Sequence, residues 1–440
     1  MNATDILIYT PKESARLHYI LHWIFVEQWQ QSFTITQDIA IYKSFIGIKI
    51  NYSNDLLEEG LTIKPHALLF EEGIQPQLLN IQRWKKTTVL FYNQPKGKVP
   101  FDIFAAAFFL LSRYEEYWQH KVDFHGRFKV SNSIAFQYQF LDVPLIDIWI
   151  QHFAFTLNTI FNSKVVTCKQ FMYKPTYDID IAWAYRNRSK IQILLGGVKE
   201  LLTFKWKPLL QRWTYFKQPS VDPYDSFQSL ETLHQSYNIK ATYFWLLALN
   251  KSKYDRNANP QSKEMQLLIQ EISKNNTLGI HPSYQSNFRF DSLLAEKSIL
   301  ESIEEKTIVN ARQHYIKLKL PTTYHNYLNA GIVNDYSMGY PDAQGFRAST
   351  CQSFLWFDLE NNTVTSLRVH PFVFMDATAI FYKKQSPELA LKEFERLLLQ
   401  VKQVNGTFIS IMHNYTLGTA VYHKGWMQVY QKMLAMIFGY

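Results

Sequence analysis

Lys174-Pro175-Thr176-Tyr177-Asp178-Ile179-Asp180 leads an apolar, β-branched approach into two carboxylates one residue apart. In extended chain alternate side chains share a face, so Asp178 and Asp180 are expected to project together from a strand end. Like charges on one face raise a pKa or recruit a cation. The same D-x-D also suits an acidic turn capping a following helix. Which reading holds depends on whether other strand ends along the chain carry matching polar groups.

Downstream of Pro223 the pattern alternates. Helical spacing over 224–237, 262–274, 291–308, 321–330 and 392–403 interleaves with strand-like runs at 241–249, 277–280, 332–335 and 407–412. Such alternation implies α/β architecture with a parallel sheet, most economically closed as a barrel whose site lies at the carboxyl ends of its strands. The residues expected there are Asp178, Asp180, His281, Arg312, His314, Asp335 and His413. A lone histidine after a strand serves packing as readily as chemistry; the collection is what points to a site. Carboxylates with imidazoles suit Zn²⁺ or another divalent first-row ion. A spare carboxylate as base and a spare imidazole as acid then describe metal-assisted hydrolysis of an amide or ester. His370, before Pro371, reads as packing, and Asp342 and Asp376 as turn or helix caps.

Upstream, residues 1–100 read as a small mixed α/β unit with a scaffolding or docking role. Strands are expected at 5–9, 33–36, 46–52 and, short and buried, 67–70; a helix is expected over 12–26, with Pro11 at its start. Residues 101–170 read as a helical connecting region packed on the barrel. The stretch 101–117 is apolar nearly all round and is expected to be a buried helix. His120 and His125 flank Asp123 in a turn-like stretch, a loop arrangement that a metal could also use. An amphipathic helix is expected over 144–161, and a strand from Val165 leads into the opening motif.

At 440 residues and 47% hydrophobic content the chain can hold two or three domains. Aromatics reach 16% while Gly and Pro number 15 and 16, which excludes low-complexity or disordered classes. Two cysteines, Cys168 and Cys351, exclude a disulfide framework and a cysteine-based zinc site. The first residues lack a basic region followed by a long apolar run, so no signal peptide is expected, and the expected location is the cytoplasm or the inner face of the membrane. The net charge is +9, and the stretch 183–217 concentrates it with eight Lys or Arg against Glu200 alone. Ile191, Leu194, Leu195, Val198, Leu201 and Leu202 share one helical face there. A lid over the acidic strand ends, a peripheral membrane contact and a basic helix packed on the core all fit. No nucleic-acid motif accompanies the charge, so nucleic acid is not an expected partner.

The order and spacing of the strand-end residues resemble the polysaccharide deacetylases (carbohydrate esterase family 4, the NodB homology domain) over about residues 173–440. Thr176-Tyr177-Asp178-Ile179-Asp180 resembles the T-F-D-D motif with one residue inserted. Gly279-Ile280-His281-Pro282-Ser283 resembles the strand-end H-S/T-x-x-H, Arg312-Gln313-His314-Tyr315 is placed like the motif whose Arg holds the catalytic Asp, and Ser410-Ile411-Met412-His413 matches L-x-H. The stretches 101–117 and 335–348 resemble those of a bacterial subgroup with an extra N-terminal domain.

The resemblance implies a distorted (β/α)7 barrel over 171–440, preceded by the smaller α/β domain. It implies Asp178 as general base, Asp180 and His281 as metal ligands, Arg312 as the tether of Asp178, and His413 as general acid; the inserted Ile179 lets the two aspartates exchange roles. The family's remaining ligand falls four residues after the first His, where this chain has Gln285, so the site is expected to recruit His314, to use an extra water or to bind no metal. Tyr284, Asp335 and Arg347 are the expected substrate contacts, with Arg347 suited equally to an anionic group on the substrate or to a structural ion pair. The implied cofactor is a divalent metal, zinc or else Co, Ni or Mn, and the implied substrate an N-acetylated glycan or glycolipid of the cell envelope. The alternative is a degenerate, metal-free protein that binds or assembles glycan in the same cleft.

Overall fold

The computed structural model describes residues 6–55, 57–163, 165, 169–218 and 221–439. Asp5, Cys168 and the approach to the opening motif at 166–168 lie outside the described residues.

The N-terminal sheet is wholly parallel. Its strands β1 (Ile6–Tyr9), β2 (Phe33–Thr36), β3 (Ile48–Asn51) and β4 (Leu61–Thr62) stand in the order β2-β1-β3-β4. All four residues of β1 are buried, as a central parallel strand covered on both faces requires. Helix α1 (Ala15–Leu21) starts later than Pro11 suggests, because Ser14 accepts the Leu17 N–H and outcompetes proline as the cap. A π-helical turn over His22–Gln28 extends it. Helix α2 (Ile39–Ser44) joins β2 to β3. The strand expected at 67–70 is instead a 3-10 turn capped by the His66 side chain, and it pairs with neither edge of the sheet. A two-stranded ribbon, β5 (Gln82–Trp84) and β6 (Thr87–Val89), follows.

Helix α3 (Ile103–Leu111) is fully buried and capped by Asp102, which accepts the Phe104 and Ala105 N–H groups. It ends before the expected 117, since Arg113 turns left-handed (φ 54°) and a 3-10 turn follows over Tyr114–Tyr117. Short α4 (Ile134–Gln137) precedes α5 (Leu145–Phe161), the helix expected from the amphipathic spacing there.

The second sheet has nine strands: β7 (Met172–Ile179), β8 (Thr242–Trp245), β9 (Thr277–Ile280), β10 (Asn310–Ala311), β11 (Asn334–Asp335), β12 (Phe354–Asp358), β13 (Thr363–Val369), β14 (Phe374–Met375) and β15 (Thr407–His413). The order is β12-β13-β11-β10-β9-β8-β7-β15-β14, with every neighbour parallel except the β12–β13 hairpin, which sequence periodicity does not announce. Helices α6 (Lys190–Leu202), α7 (Trp206–Lys217), α8 (Phe227–Tyr237), α9 (Lys263–Ser273), α10 (Phe290–Glu304), α11 (Thr322–Asn329), α12 (Pro387–Gln403) and α13 (Trp426–Phe438) intervene or follow. Among the described residues no strand pairing joins β12 to β14, so the ladder leaves one side without strand pairing. The chain after β11 fills the open side: Phe372 N–H donates to Met338 O (3.1 Å), and Gly345 N–H to Val373 O (3.0 Å). The two sheets share one apolar core, and Tyr19 Oη and Trp23 Nε1 of the N-terminal unit donate to Leu355 O in β12 and to Ser353 O just before it. No helix among the described residues is long and apolar enough to cross a membrane.

Candidate active site

Six of the seven strand-end residues read from the sequence meet at one end of the parallel ladder. Asp178 lies opposite His413 in the β7–β15 register, and His281, Arg312 and His314 leave the neighbouring ends of β9 and β10. Asp178, Asp180, His281, His314 and His413 line a cleft of about 410 Å³, within the usual range for small-ligand sites. Tyr254, Tyr315, Phe381, Tyr382 and Tyr415 wall it, with Arg127, Lys253 and Arg256 among its lining cations.

Asp178 is buried and accepts from Arg312 Nη1 at 2.7 Å. The guanidinium is itself fixed by donation to Tyr336 O (2.9 Å) and by the Phe244 ring 4.4 Å beneath it. Gly279 makes that ring position available, since a Cβ there would meet Phe244.

Asp180, His281 and His314 form the one group among the described residues whose carboxylate and imidazole atoms lie within 4.8 Å of one another in a metal-ligating set. His281 Nδ1 bonds Arg312 O (2.6 Å), which makes Nδ1 the protonated nitrogen and leaves Nε2 bare, 3.2 Å from Asp180 Oδ1. His314 Nδ1 faces Asp255 Oδ1 at 3.1 Å, and its Nε2 lies 3.7 Å from the same Asp180 oxygen. Asp180 Oδ1 is buried and receives no hydrogen bond. An orphaned carboxylate oxygen facing two imidazole Nε2 atoms, each with its other nitrogen held by an acceptor, is the donor set a divalent first-row cation takes. The residues therefore fit such a metal.

The electrostatics follow from the same crowding. Burial opposes the Asp180 charge, yet the surrounding imidazoles of His314, His281 and His413 hold its carboxyl well below the usual range, the reverse of what two adjacent carboxylates alone would do. Burial also opposes a charged His314, but Asp180 and then Asp255 push it up to about 9. His413 Nδ1 bonds Asp376 Oδ1 (2.6 Å), and against the cost of burial this carboxylate, aided by Asp180 and Asp178, pushes the imidazole up to about 9. Its Nε2 faces the cleft, 3.7 Å from Asp180 Oδ2.

The seventh strand-end residue and the other expected substrate contacts lie elsewhere. Asp335 is fully buried, accepts from Tyr324 Oη (2.7 Å) and Ser337 N–H (3.0 Å), and has its carboxyl pushed up to about 6 by burial. It braces the turn behind Arg312 without reaching the cleft. Arg347 is equally buried; it clamps both oxygens of Glu116 (2.9 and 2.6 Å) and donates to Gly339 O, so its charge is consumed by an ion pair. Tyr284 stacks on Tyr254 at 4.2 Å and bonds His125 Nδ1, a second tier behind the wall. Gln285 opens on a separate concavity beside Arg289 and Glu296. His120, Asp123 and His125 do not converge: His120 bonds Trp118 O, and Asp123 pairs with Arg127.

Asp376 and Asp255 are the site residues that sequence spacing missed. Asp376 does cap its own turn by accepting Ala377 N–H, but it also accepts His413 N–H (2.8 Å) and the Thr416 hydroxyl. Asp255 has its carboxyl held low against burial by His314 and by the Tyr284 N–H. Each is the single acid in the loop after its strand, a signal that was present. Tyr315 and Ile316, both at positive φ (60° and 50°), mark strained backbone at the cleft wall, pinned where Arg127 donates to Tyr315 O (2.6 Å).

A family of unknown function (DUF7033) matches residues 6–162. No curated protein matches the chain. Solved structures similar to it include a polysaccharide deacetylase from Bacillus cereus (10% identity, 60% of this chain and 86% of that one, TM-score 0.28). Puue allantoinase is similar at 9% identity, over 62% of this chain and 85% of that one, with a TM-score of 0.39. A carbohydrate esterase family 4 pseudoenzyme from Bacillus anthracis is similar at 11% identity, over 61% of this chain and 60% of that one, with a TM-score of 0.29. Likeness this partial leaves the chemistry to be read from the residues.

Proposed function

We propose that the protein is a hydrolase that removes N-acetyl groups from an aminosugar-containing glycan, with a divalent cation held by Asp180, His281 and His314. The observation that carries this reading is the meeting of Asp180, His281 and His314, their ligand atoms within 4.8 Å of one another, beside two groups suited to opposite proton transfers. A bound zinc, or cobalt, nickel or manganese, would supply Lewis acidity that polarises an amide carbonyl and acidifies water. Asp178, aimed by Arg312, takes the proton from the attacking water. His413, charged through its bond to Asp376, hands the Nε2 proton to the leaving amine nitrogen as the C–N bond breaks, releasing acetate. The tyrosine wall offers flat faces to sugar rings. The acetylated-sugar substrate rests on the motif resemblance. We assign the chemistry to residues 171–440, with a barrel-like fold, and a docking role to 1–100 through the helical region 101–170.

The test pairs elemental analysis of purified protein with acetate release from N-acetylglucosamine oligomers. About one divalent metal per chain is expected, together with release that Asp178→Asn abolishes while leaving metal and oligomer binding in place. Protein that binds oligomer but releases no acetate after zinc, cobalt, nickel or manganese is added would instead be a glycan-binding protein using the same cleft.

A further inference from the structure

Helices α6 and α7 form a hairpin that is built inside out. Their shared face holds an ion pair: Arg212 donates to both Glu200 oxygens (2.8 and 2.5 Å) and to Ile193 O (3.1 Å), with the Tyr185 ring 4.8 Å beneath it. Gly196 makes room for the guanidinium, which a Cβ there would meet. The large apolar side chains point the other way: Leu195, Leu202, Phe204, Trp206, Leu210 and Trp213 are each more than half exposed, Phe204 at 77%. Lys190, Lys199, Lys205, Lys207 and Lys217 are exposed among them. Lys217 lies over the Trp213 ring at 3.6 Å. Glu200, the one acid of 183–217, is already taken by Arg212. An apolar patch rimmed by unpaired cations marks an interaction surface.

We propose that the α6–α7 hairpin docks the protein on an anionic phospholipid bilayer, its tip at 202–207 entering the headgroup region while the lysines lie against lipid phosphates. Charge selects this occupant. A second copy of the chain would bring two strongly basic faces together with no carboxylate to offset them, whereas an anionic leaflet complements apolar and basic groups at once. Helices of 13 and 12 residues are about 20 Å long or less, suited to lying in an interface and too short to span. The docked hairpin would also orient the cleft. Asp222 accepts the Ala184, Tyr185 and Arg186 N–H groups at its base, and Gln211 donates to Thr419 O (2.8 Å) and accepts from Val421 N–H, just beyond Tyr415 of the cleft wall. This inference uses no residue of the candidate active site and stands apart from the hydrolase reading.

Co-sedimentation of the full-length protein with vesicles tests it. Affinity for phosphatidylcholine vesicles containing phosphatidylglycerol is expected to exceed that for pure phosphatidylcholine by at least about tenfold and to fall with salt. Phe204→Glu with Trp206→Glu, and separately Lys205→Glu with Lys207→Glu, should each lower it about tenfold or more without changing the thermal midpoint, because these side chains are exposed. Equal affinity for both vesicles, no binding to either, or binding that both double variants retain would overturn the proposal. So would a concentration-dependent dimer that Phe204→Glu with Trp206→Glu abolishes, since the face would then belong to a second copy.

Discussion

His413 and His314 each commit Nδ1 to a carboxylate, Asp376 and Asp255, so each ring presents only Nε2 to the cleft. For a general acid this arrangement sets a pH limit. As the acid of the proposed reaction His413 would act while protonated, so activity is expected to fall as pH rises through its folded value of about 9; a cation neutralising Asp180 would remove that residue's share and place the limb at or below 9. Asp376→Asn keeps an acceptor for Nδ1 but loses the charge, and the alkaline limb of the pH–rate profile should move to lower pH. An unmoved limb would detach His413 from the proton transfer. The metal set makes a second prediction. Zinc at about a hundredfold over its dissociation constant should stabilise the protein by about 2.7 kcal/mol, read as a rise in thermal midpoint, and His314→Ala should lose most of that rise. Equal shifts in both proteins would remove His314 from the ligand set. Asp178, Asp180, His281, Arg312, His314 and His413 were legible in the sequence because apolar runs end at or near them, while Asp255 lies well inside the loop after β8 and Asp376 carries the pattern of a turn cap, so neither announces its histidine partner.

The break between α3 and the 3-10 turn at 114–117 shows what periodicity cannot see at the scale of an element. Arg113 takes a left-handed backbone there while its side chain bonds Glu116 (2.8 Å) and Glu115 (2.7 Å). Arg347 closes the network from the segment after β11, and although burial opposes its charge, Glu116 is held down at about 2 by Arg347 and Arg113. Two stretches far apart in the chain are thus joined by a buried ionic cluster, and that long-range pairing is why the sequence alone left Arg347 open as a substrate contact. Truncating one member of a buried cluster leaves an uncompensated charge, so Arg347→Ala should cost about 3–5 kcal/mol in urea unfolding while leaving the KM of the proposed reaction unchanged in the folded protein. A raised KM at unchanged stability would return Arg347 to the substrate. Elsewhere the elements followed local pattern wherever it was strong: α5, α9 and β9 lie within a residue of expectation. The β12–β13 hairpin and the 3-10 turn at 67–70 departed from it, because strand pairing and not side-chain alternation decides such short segments.

Across the whole molecule, burial of neutral histidines in the shared core couples stability to pH. His234 and His370 are 2% and 8% exposed. Burial, only weakly opposed by Glu231, pushes His234 down to about 4, where its Nε2 meets the Tyr177 hydroxyl at 2.7 Å. Burial together with Lys174 and Arg368 pushes His370 down to about 3. Both rings stay neutral in the folded chain while the unfolded chain binds protons below about 6.5. Between those values the unfolded state holds more protons, so this contribution is complete above pH 6.5 and is lost as pH falls toward 4. Asp102 and Asp147, pushed up to about 6 by burial, act in the opposite sense, since there the folded state binds the proton first and gains stability as pH falls from 6 toward 4. The total curve therefore mixes signs, and a difference curve separates them. His234→Gln retains a polar partner for Tyr177 but cannot titrate. Relative to this variant, the parent should lose up to about 3 kcal/mol between pH 7 and pH 4 in urea unfolding. The difference should be constant above pH 7, where His234 is uncharged in both the folded and the unfolded chain. A difference that stays flat down to pH 4 would mean that His234 is protonated in the folded protein, and that the core around Tyr177 admits a charge its burial argues against.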